Sequence, residues 1–232
     1  MVTLATGPAR GTQVLDRAVV VLDTIARTGP CTLGDLVQET TLARPTAHRI
    51  AVALVHHGLL ARDGEGRFVL GGRLAAWGSL ASNGLADAAR PVLAQLVAQT
   101  GESAQLYVRE GDRRICIAVH ERPSGLRDTV PLGAVMPLDR GSGGKVLLAW
   151  ADGGSGRAPA LAAVRKRGWA ESVGEREAGV ASVSAPVRDA SGEVVAAISV
   201  SGPIERLGAH PGRRLARAVV AAAATIGRVT TE

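Results

Sequence analysis

Aromatic side chains are nearly missing from this chain: one Phe, one Tyr and three Trp in 232 residues. So little ring surface argues against a single-strand nucleic-acid platform built on stacked bases. Duplex recognition stays open, because groove reading draws on arginine and small polar side chains more than on rings. Cysteine is scarce too. Cys31 and Cys116 have no metal-ligand spacing and are too few for a disulfide scaffold, which fits a reducing compartment. No apolar run approaches the roughly 18 residues of a membrane-spanning helix. The least polar stretch, residues 217–226, is short and dominated by alanine. Residues 1–11 lack the basic start and apolar centre of a secretory signal. These absences describe a cytoplasmic protein that needs no cofactor, metal or membrane.

What is present is globular: 46% hydrophobic and 21% charged residues, with a formal net charge of +6. Lys145 and Lys166 are the only lysines, so arginine carries the excess. A basic chain favours polyanionic partners. Residues 1–83 hold 8 basic and 6 acidic groups, and residues 84–232 hold 19 and 15, so neither end concentrates the charge. Charge alone leaves the partner open.

The pattern along the chain is more specific. Residues 1–11 read as a flexible tail. Residues 13–27 place Leu15, Ala18, Val19, Leu22, Ile25 and Ala26 on one helical face, and Gly29-Pro30 stops them. Thr32 is an N-cap for a short helix with Asp35 in its first turn. Pro45 suits the first turn of a third helix that runs to about residue 57, with Ala47, Ile50, Ala51 and Leu54 inward and Gly58 at its end. Residues 59–62 and 67–70 flank Asp63-Gly64-Glu65-Gly66, an Asp-Gly hairpin signal. Three helices and a hairpin in this order predict a winged helix-turn-helix over residues 12–72.

Residues 73–84 read as a linker helix with Leu74, Trp77 and Leu80 on a stripe suited to dimer contact, broken at Ser82-Asn83-Gly84. Residues 85–232 then alternate a helix (85–100), strands at 103–109, 113–121, 129–132, 180–187 and 194–201, and helices at 143–150, 159–167 and 211–228. Helices flanking an antiparallel sheet predict an α+β ligand domain.

Several stretches could carry chemistry. Arg44, Pro45, Thr46, His48 and Arg49 open the third helix. Arginine can fork onto guanine O6 and N7, and threonine or histidine can reach phosphate or a base edge. Arg62 and Arg67 bracket the hairpin tip, where a wing meets the backbone or minor groove. The run Asp139-Arg140-Gly141-Ser142-Gly143-Gly144-Lys145 fails as a phosphate loop, which needs Gly at 139 and Ser or Thr at 146. It reads instead as a glycine turn at a helix N-terminus, able to hold a carboxylate. Ser199 and Ser201 share one face of a strand, and Ser182 and Ser184 repeat the spacing one strand earlier. That face lines either a pocket or an edge. No Gly-x-Ser-x-Gly elbow or Ser/His/Asp order supports a hydrolase. Cys116, between Ile115 and Ile117, reads as core rather than as a redox sensor.

Taken together, Thr12-Gln13-Val14-Leu15-Asp16-Arg17-Ala18, Thr32-Leu33 and Leu42-Ala43-Arg44-Pro45-Thr46-Ala47-His48-Arg49 resemble the IclR family of bacterial transcriptional regulators. The likeness continues through residues 141–149, 179–187 and 197–203. Residues 100–107, 124–131 and 173–177 look like a narrower branch, the actinobacterial regulators of leucine biosynthesis and amino-acid-dependent growth. The resemblance implies a winged-helix domain, a dimerising linker helix and a GAF-like effector domain that drives dimers into tetramers. It implies binding to a double-stranded DNA operator and to a small-molecule effector, an amino acid or small carboxylate. Family pocket positions fall on Ser142 and Gly143 in the glycine turn and on Ser182, Ser199 and Ser201, with Gly144 beside them. Many relatives carry cysteine where this chain has Ser182, and an acidic pocket residue of some members falls on Ser172. Arg127 is a further candidate, on charge grounds, for pairing with a ligand carboxylate. An enzyme using the same cleft and a regulator that binds no ligand are the alternatives.

Overall fold

The computed structural model describes residues 13–81, 84–151 and 159–229, so the tail at residues 1–11, Thr12 and the Ser82-Asn83 break lie outside the described residues. The chain divides between residues 81 and 82 into two units.

The first unit follows from its apolar spacing. Helix α1 (Gln13–Thr28), α2 (Leu33–Thr40) and α3 (Arg44–His56) meet over Val21, Ile25, Leu36, Ile50, Ala51 and Leu54. Strands β1 (Leu60–Arg62) and β2 (Phe68–Leu70) form the hairpin and add Leu60 and Phe68 to that core. Thr32 caps α2 as expected. Its Oγ1 accepts from the Asp35 N–H at 3.2 Å, while Asp35 Oδ2 accepts from the Thr32 N–H at 2.8 Å, a reciprocal box that satisfies two otherwise free donors. The bond from the Thr32 N–H also holds the Asp35 carboxyl below its usual range. Thr41 takes the left-handed conformation (φ 57°) that turns the chain sharply from α2 into α3. Cys31 exchanges backbone bonds with Phe68 at 3.0 and 2.7 Å, which ties the start of α2 to the wing. Helix α4 (Gly72–Ala81) follows; Leu74 is half-buried, Trp77 is exposed beneath the Arg73 guanidinium at 4.8 Å, and the Leu80 side chain lies outside the described residues.

The second unit opens with α5 (Leu85–Thr100) and builds one antiparallel sheet from β3 (Ser103–Glu110), β4 (Arg113–His120), β5 (Val135–Pro137), β6 (Ala170–Val173), β7 (Val180–Arg188) and β8 (Val194–Pro203), in the spatial order β5-β4-β3-β8-β7-β6. Helices α6 (Gly141–Ala149), α7 (Pro159–Arg167), α8 (Ile204–Leu207) and α9 (Gly212–Val229) complete it. Strand alternation sorts the side chains. Leu106, Val183, Ala185, Ile198 and Val200 point to one face and pack with α5 and α9 residues such as Leu93, Leu96, Leu215 and Val219. The other face, with Tyr107, Cys116 and Ala197, packs with Val146 and Leu147 of α6 and Val164 of α7.

One expected strand moves. Residues 129–132 form no strand, and the pairing partner of β4 is Val135–Pro137. Pro131 cannot donate to a ladder. Val130 is buried as a loop residue against the Tyr107 cluster, and the backbone turns at Gly133 (φ 80°), whose N–H donates to the Cys116 carbonyl at 2.7 Å ahead of β5. Two short elements, β6 and α8, have no counterpart in the sequence reading.

Candidate functional site

Helix α3 is two-sided. Ala47, Ile50, Ala51 and Leu54 are buried, whereas Arg44, Pro45, His48 and Arg49 are exposed and Thr46 is half-exposed. Pro45 in the first turn presets the backbone without losing a bond. A groove of about 750 Å³ runs between α1 and α3, lined by Arg17, Thr46, His48, Arg49, His56 and His57 with apolar Val14 and Val52. Sequence reasoning missed Arg17, His56 and His57; their helical offsets from Arg49 and Thr46 could have flagged the two histidines, while Arg17 joins through the packing of α1. Thr32 sits at the N-cap, its hydroxyl engaged by Asp35. The wing arginines differ. Arg67 is held by Asp63 at 2.8 Å and by Glu65 at 3.1 Å. Arg62 has no ion pair among the described residues; it donates to the Gly66 carbonyl at 2.7 Å and lies over the Phe68 ring at 4.3 Å.

In the second unit the register joins serines that are far apart in sequence. Ser182 pairs with Ser201, Ser184 with Ser199, Ser103 with Ser201, and Ser172 with Ser182, which places all of them on the α6 face of the sheet. Ser142, in the first turn of α6, reaches Ser182 and Ser184 with Oγ–Oγ distances of 2.7 Å to each. Ser142, Ser172, Ser184, Ser199 and Ser201 are buried, and Ser182 is partly so. Ser201 donates to Gln105 Oε1 at 3.2 Å, and the amide nitrogen of Gln105 has no partner among the described residues. A β-carbon at Gly143 would stand 3.1 Å from the Tyr107 ring and 3.7 Å from Ser184 Oγ, so this turn closes directly onto the hydroxyl row. At Gly144 a β-carbon would stand 2.6 Å from Arg114 Nη1. Gly144 therefore makes room for the Leu138 backbone and a guanidinium, and Gly143 for the Tyr107 ring.

Lys145 is committed elsewhere, to the Glu171 carbonyl at 3.1 Å and to the Glu175 carboxylate. Arg127 is also engaged, with Glu121 at 2.9 Å, and is exposed. Arg114 and Gln105 escaped sequence reasoning, because alternation along β3 and β4 does not say which polar residue of an inward face lies deep. Burial pushes the Cys116 thiol up to about 12, which suits its core reading.

A winged helix with a basic outer face, joined in one chain to a sheet domain with a buried hydroxyl row, defines a two-domain DNA-binding transcriptional regulator. Residues 14–64 match the IclR helix-turn-helix domain, and residues 78–158 and 157–228 match the bacterial transcriptional regulator IclR C-terminal domain. The chain is similar to the HTH-type transcriptional regulator BhcR of Paracoccus denitrificans, at 31% identity over 92% of this chain and 85% of that one. It is also similar to the glycerol operon regulatory protein of Streptomyces griseus, at 33% over 95% and 97%. Among solved structures, an IclR homologue from Microbacterium hydrocarbonoxydans complexed with 4-hydroxybenzoate matches at 26% identity and a TM-score of 0.69, over 93% of this chain and 99% of that one. The chain belongs to the IclR family; it is a regulator of transcription and not an enzyme. No described helix is long and apolar enough to cross a membrane.

Proposed function

We propose that this protein is an effector-responsive regulator of amino-acid biosynthesis genes of the leucine type, working in the cytoplasm as a dimer or a dimer of dimers. The basic outer face of α3 carries this reading, since Arg44, His48 and Arg49 lie exposed at the N-terminal half of a helix whose opposite side is core. In this reading residues 12–72 bind DNA, with Arg44, Pro45, Thr46, His48 and Arg49 in the major groove, Thr32 positioning α2, and Arg62 and Arg67 at the wing. Residues 73–84 join the DNA-binding domain to an effector domain over residues 85–232. Two subunits then meet half-sites about 34 Å apart, or a multiple of that.

The effector is a small carboxylate or amino acid held by the Ser142-Gly143-Gly144 turn with Ser182, Ser199 and Ser201, and Arg127 is kept as a charge partner once released from Glu121. A relative crystallised with 4-hydroxybenzoate supports the carboxylate class, and residues 100–107, 124–131 and 173–177 support the pathway. The ligand acts through unequal affinity for DNA-competent and DNA-incompetent arrangements, a coupling of about 1–3 kcal/mol. Capturing genomic fragments with the wild type and with Ser199→Ala/Ser201→Ala, with and without leucine and 4-hydroxybenzoate, tests it. Fragments upstream of amino-acid biosynthesis genes, released by ligand from the wild type alone, are expected. Equal ligand response in the double variant would remove the serines from the site.

A further inference from the structure

Three charged side chains are buried among the described residues, and they are not treated alike. Glu102, 1% exposed, receives Arg206 at 2.6 and 2.7 Å and has Arg122 at 3.8 Å. Asp128, 7% exposed, receives Arg176 at 2.6 Å. Arg114, 3% exposed, has no carboxylate within ion-pair distance among the described residues. Its Nη1 donates to the Arg140 carbonyl at 2.7 Å, its Nη2 lies 3.9 Å from Met136 Sδ, and its Nε has no partner among the described residues. Asp139, largely exposed beside Arg140, lies beyond ion-pair distance of Arg114, although its charge favours the cation. Burying a guanidinium without a counter-ion is strongly unfavourable, and burial draws the Arg114 pKa down.

The surroundings say what would complete it. The guanidinium stands 5.2 Å from the centre of the Tyr107 ring, which closes on Gly143 and, through it, on Ser184 and Ser142. A β-carbon at Gly144 would stand 2.6 Å from the Arg114 guanidinium and one at Gly141 3.2 Å from it, so the glycines of α6 let it lie close. On the same face of the sheet the fully buried Gln105 amide holds a second donor without an acceptor among the described residues. Among the described residues, a cation without a carboxylate partner and an amide donor without an acceptor flank the buried serines and the Tyr107 ring, with the Arg176–Asp128 pair alongside.

We infer that Arg114 is the counter-charge for the effector, so that this chain's site takes a small organic anion with a carboxylate toward Arg114 and an acceptor within reach of Gln105. The inference rests on the reading of the serine-lined face as the effector site, and it moves the carboxylate partner from the surface Arg127 to a buried residue.

The test is thermal melting of the full chain with pyruvate, leucine and 4-hydroxybenzoate, each beside its amide, for the wild type, Arg114→Met and Arg114→Lys. At least one acid is expected to raise the wild-type Tm while its amide does not. Arg114→Met is expected to melt higher than the wild type without ligand, since an uncompensated charge has gone, and to lose the ligand shift. Arg114→Lys keeps part of that shift. Arg114→Met responding like the wild type, melting lower with Arg114→Lys no more responsive than it, or acid and amide acting equally, overturns the assignment of Arg114. If none of the compounds stabilises the wild type, the effector reading itself falls.

Discussion

A single methyl group, added at two helical glycines, should have opposite effects. Gly144 lies inside α6, and Ala would gain about 1 kcal/mol there from helix propensity alone. Its β-carbon, however, would stand 2.8 Å from the Leu138 carbonyl carbon, closer still to the oxygen, and 2.6 Å from Arg114 Nη1. Carbon contacts are favourable near 3.5–4.0 Å. The obstacle is backbone and a buried guanidinium, neither of which swings aside, so the penalty belongs at the upper end of the roughly 1–3 kcal/mol for overpacking. The net is a loss of about 2 kcal/mol, and the second unit should melt about 4–8 °C lower. Gly78, inside α4, meets nothing within 4 Å. Ala there should stabilise the first unit by roughly 0.4–1 kcal/mol. Calorimetric melting of the full chain reads both, with Trp150 and Trp169 fluorescence in a Trp77→Phe background assigning the second unit. Gly144→Ala as stable as the wild type would refute the close approach of α6 to Leu138 and Arg114.

Other outcomes follow from the same geometry. Thr32→Ala removes the hydroxyl that accepts from the Asp35 N–H and donates to its carboxylate, while the backbone bond from the Thr32 N–H stays, and it should cost the first unit about 1 kcal/mol in urea unfolding. Cys116, buried with its thiol pushed up to about 12, should resist Ellman's reagent at pH 8 until the second unit unfolds. Because its ordinary value is 9.0, the thiol releases a proton sooner in the unfolded chain, so its contribution to stability, full below pH 9, should drain away between about pH 9 and 12. Arg67→Ala should weaken DNA binding less than Arg62→Ala, since Asp63 and Glu65 already hold Arg67.

The first unit was the more legible half. Its signals are local: the Thr32/Asp35 box, Pro45 in a first turn and the turn at residues 63–66 each act within a few residues, and each stands where it was expected. The second unit depends on pairing across the chain. The β-branched run around Val130 read as a strand because it is apolar, yet its burial comes from loop packing and Pro131 forbids the ladder. Strand β6 is four residues with a glutamate, too short for alternation to register. At the site, the serines were visible as spaced pairs. Their union with Ser142, across 40 and 42 positions, needed the register of β7 and the placement of α6. Arg114 was least visible of all, since a charged residue in a strand reads as a solvent-facing position unless its burial is known.

The central claim is that the outer face of α3 reads duplex DNA. Anisotropy titration of a labelled operator, selected by the wild type from a randomised duplex library, tests it most directly. Each of Arg44→Ala and Arg49→Ala is expected to cost about 1–3 kcal/mol on that operator while leaving salt-dependent binding to random duplex largely in place. Undiminished operator affinity in the Arg44→Ala/Arg49→Ala double variant, with its melting unchanged, would contradict the account.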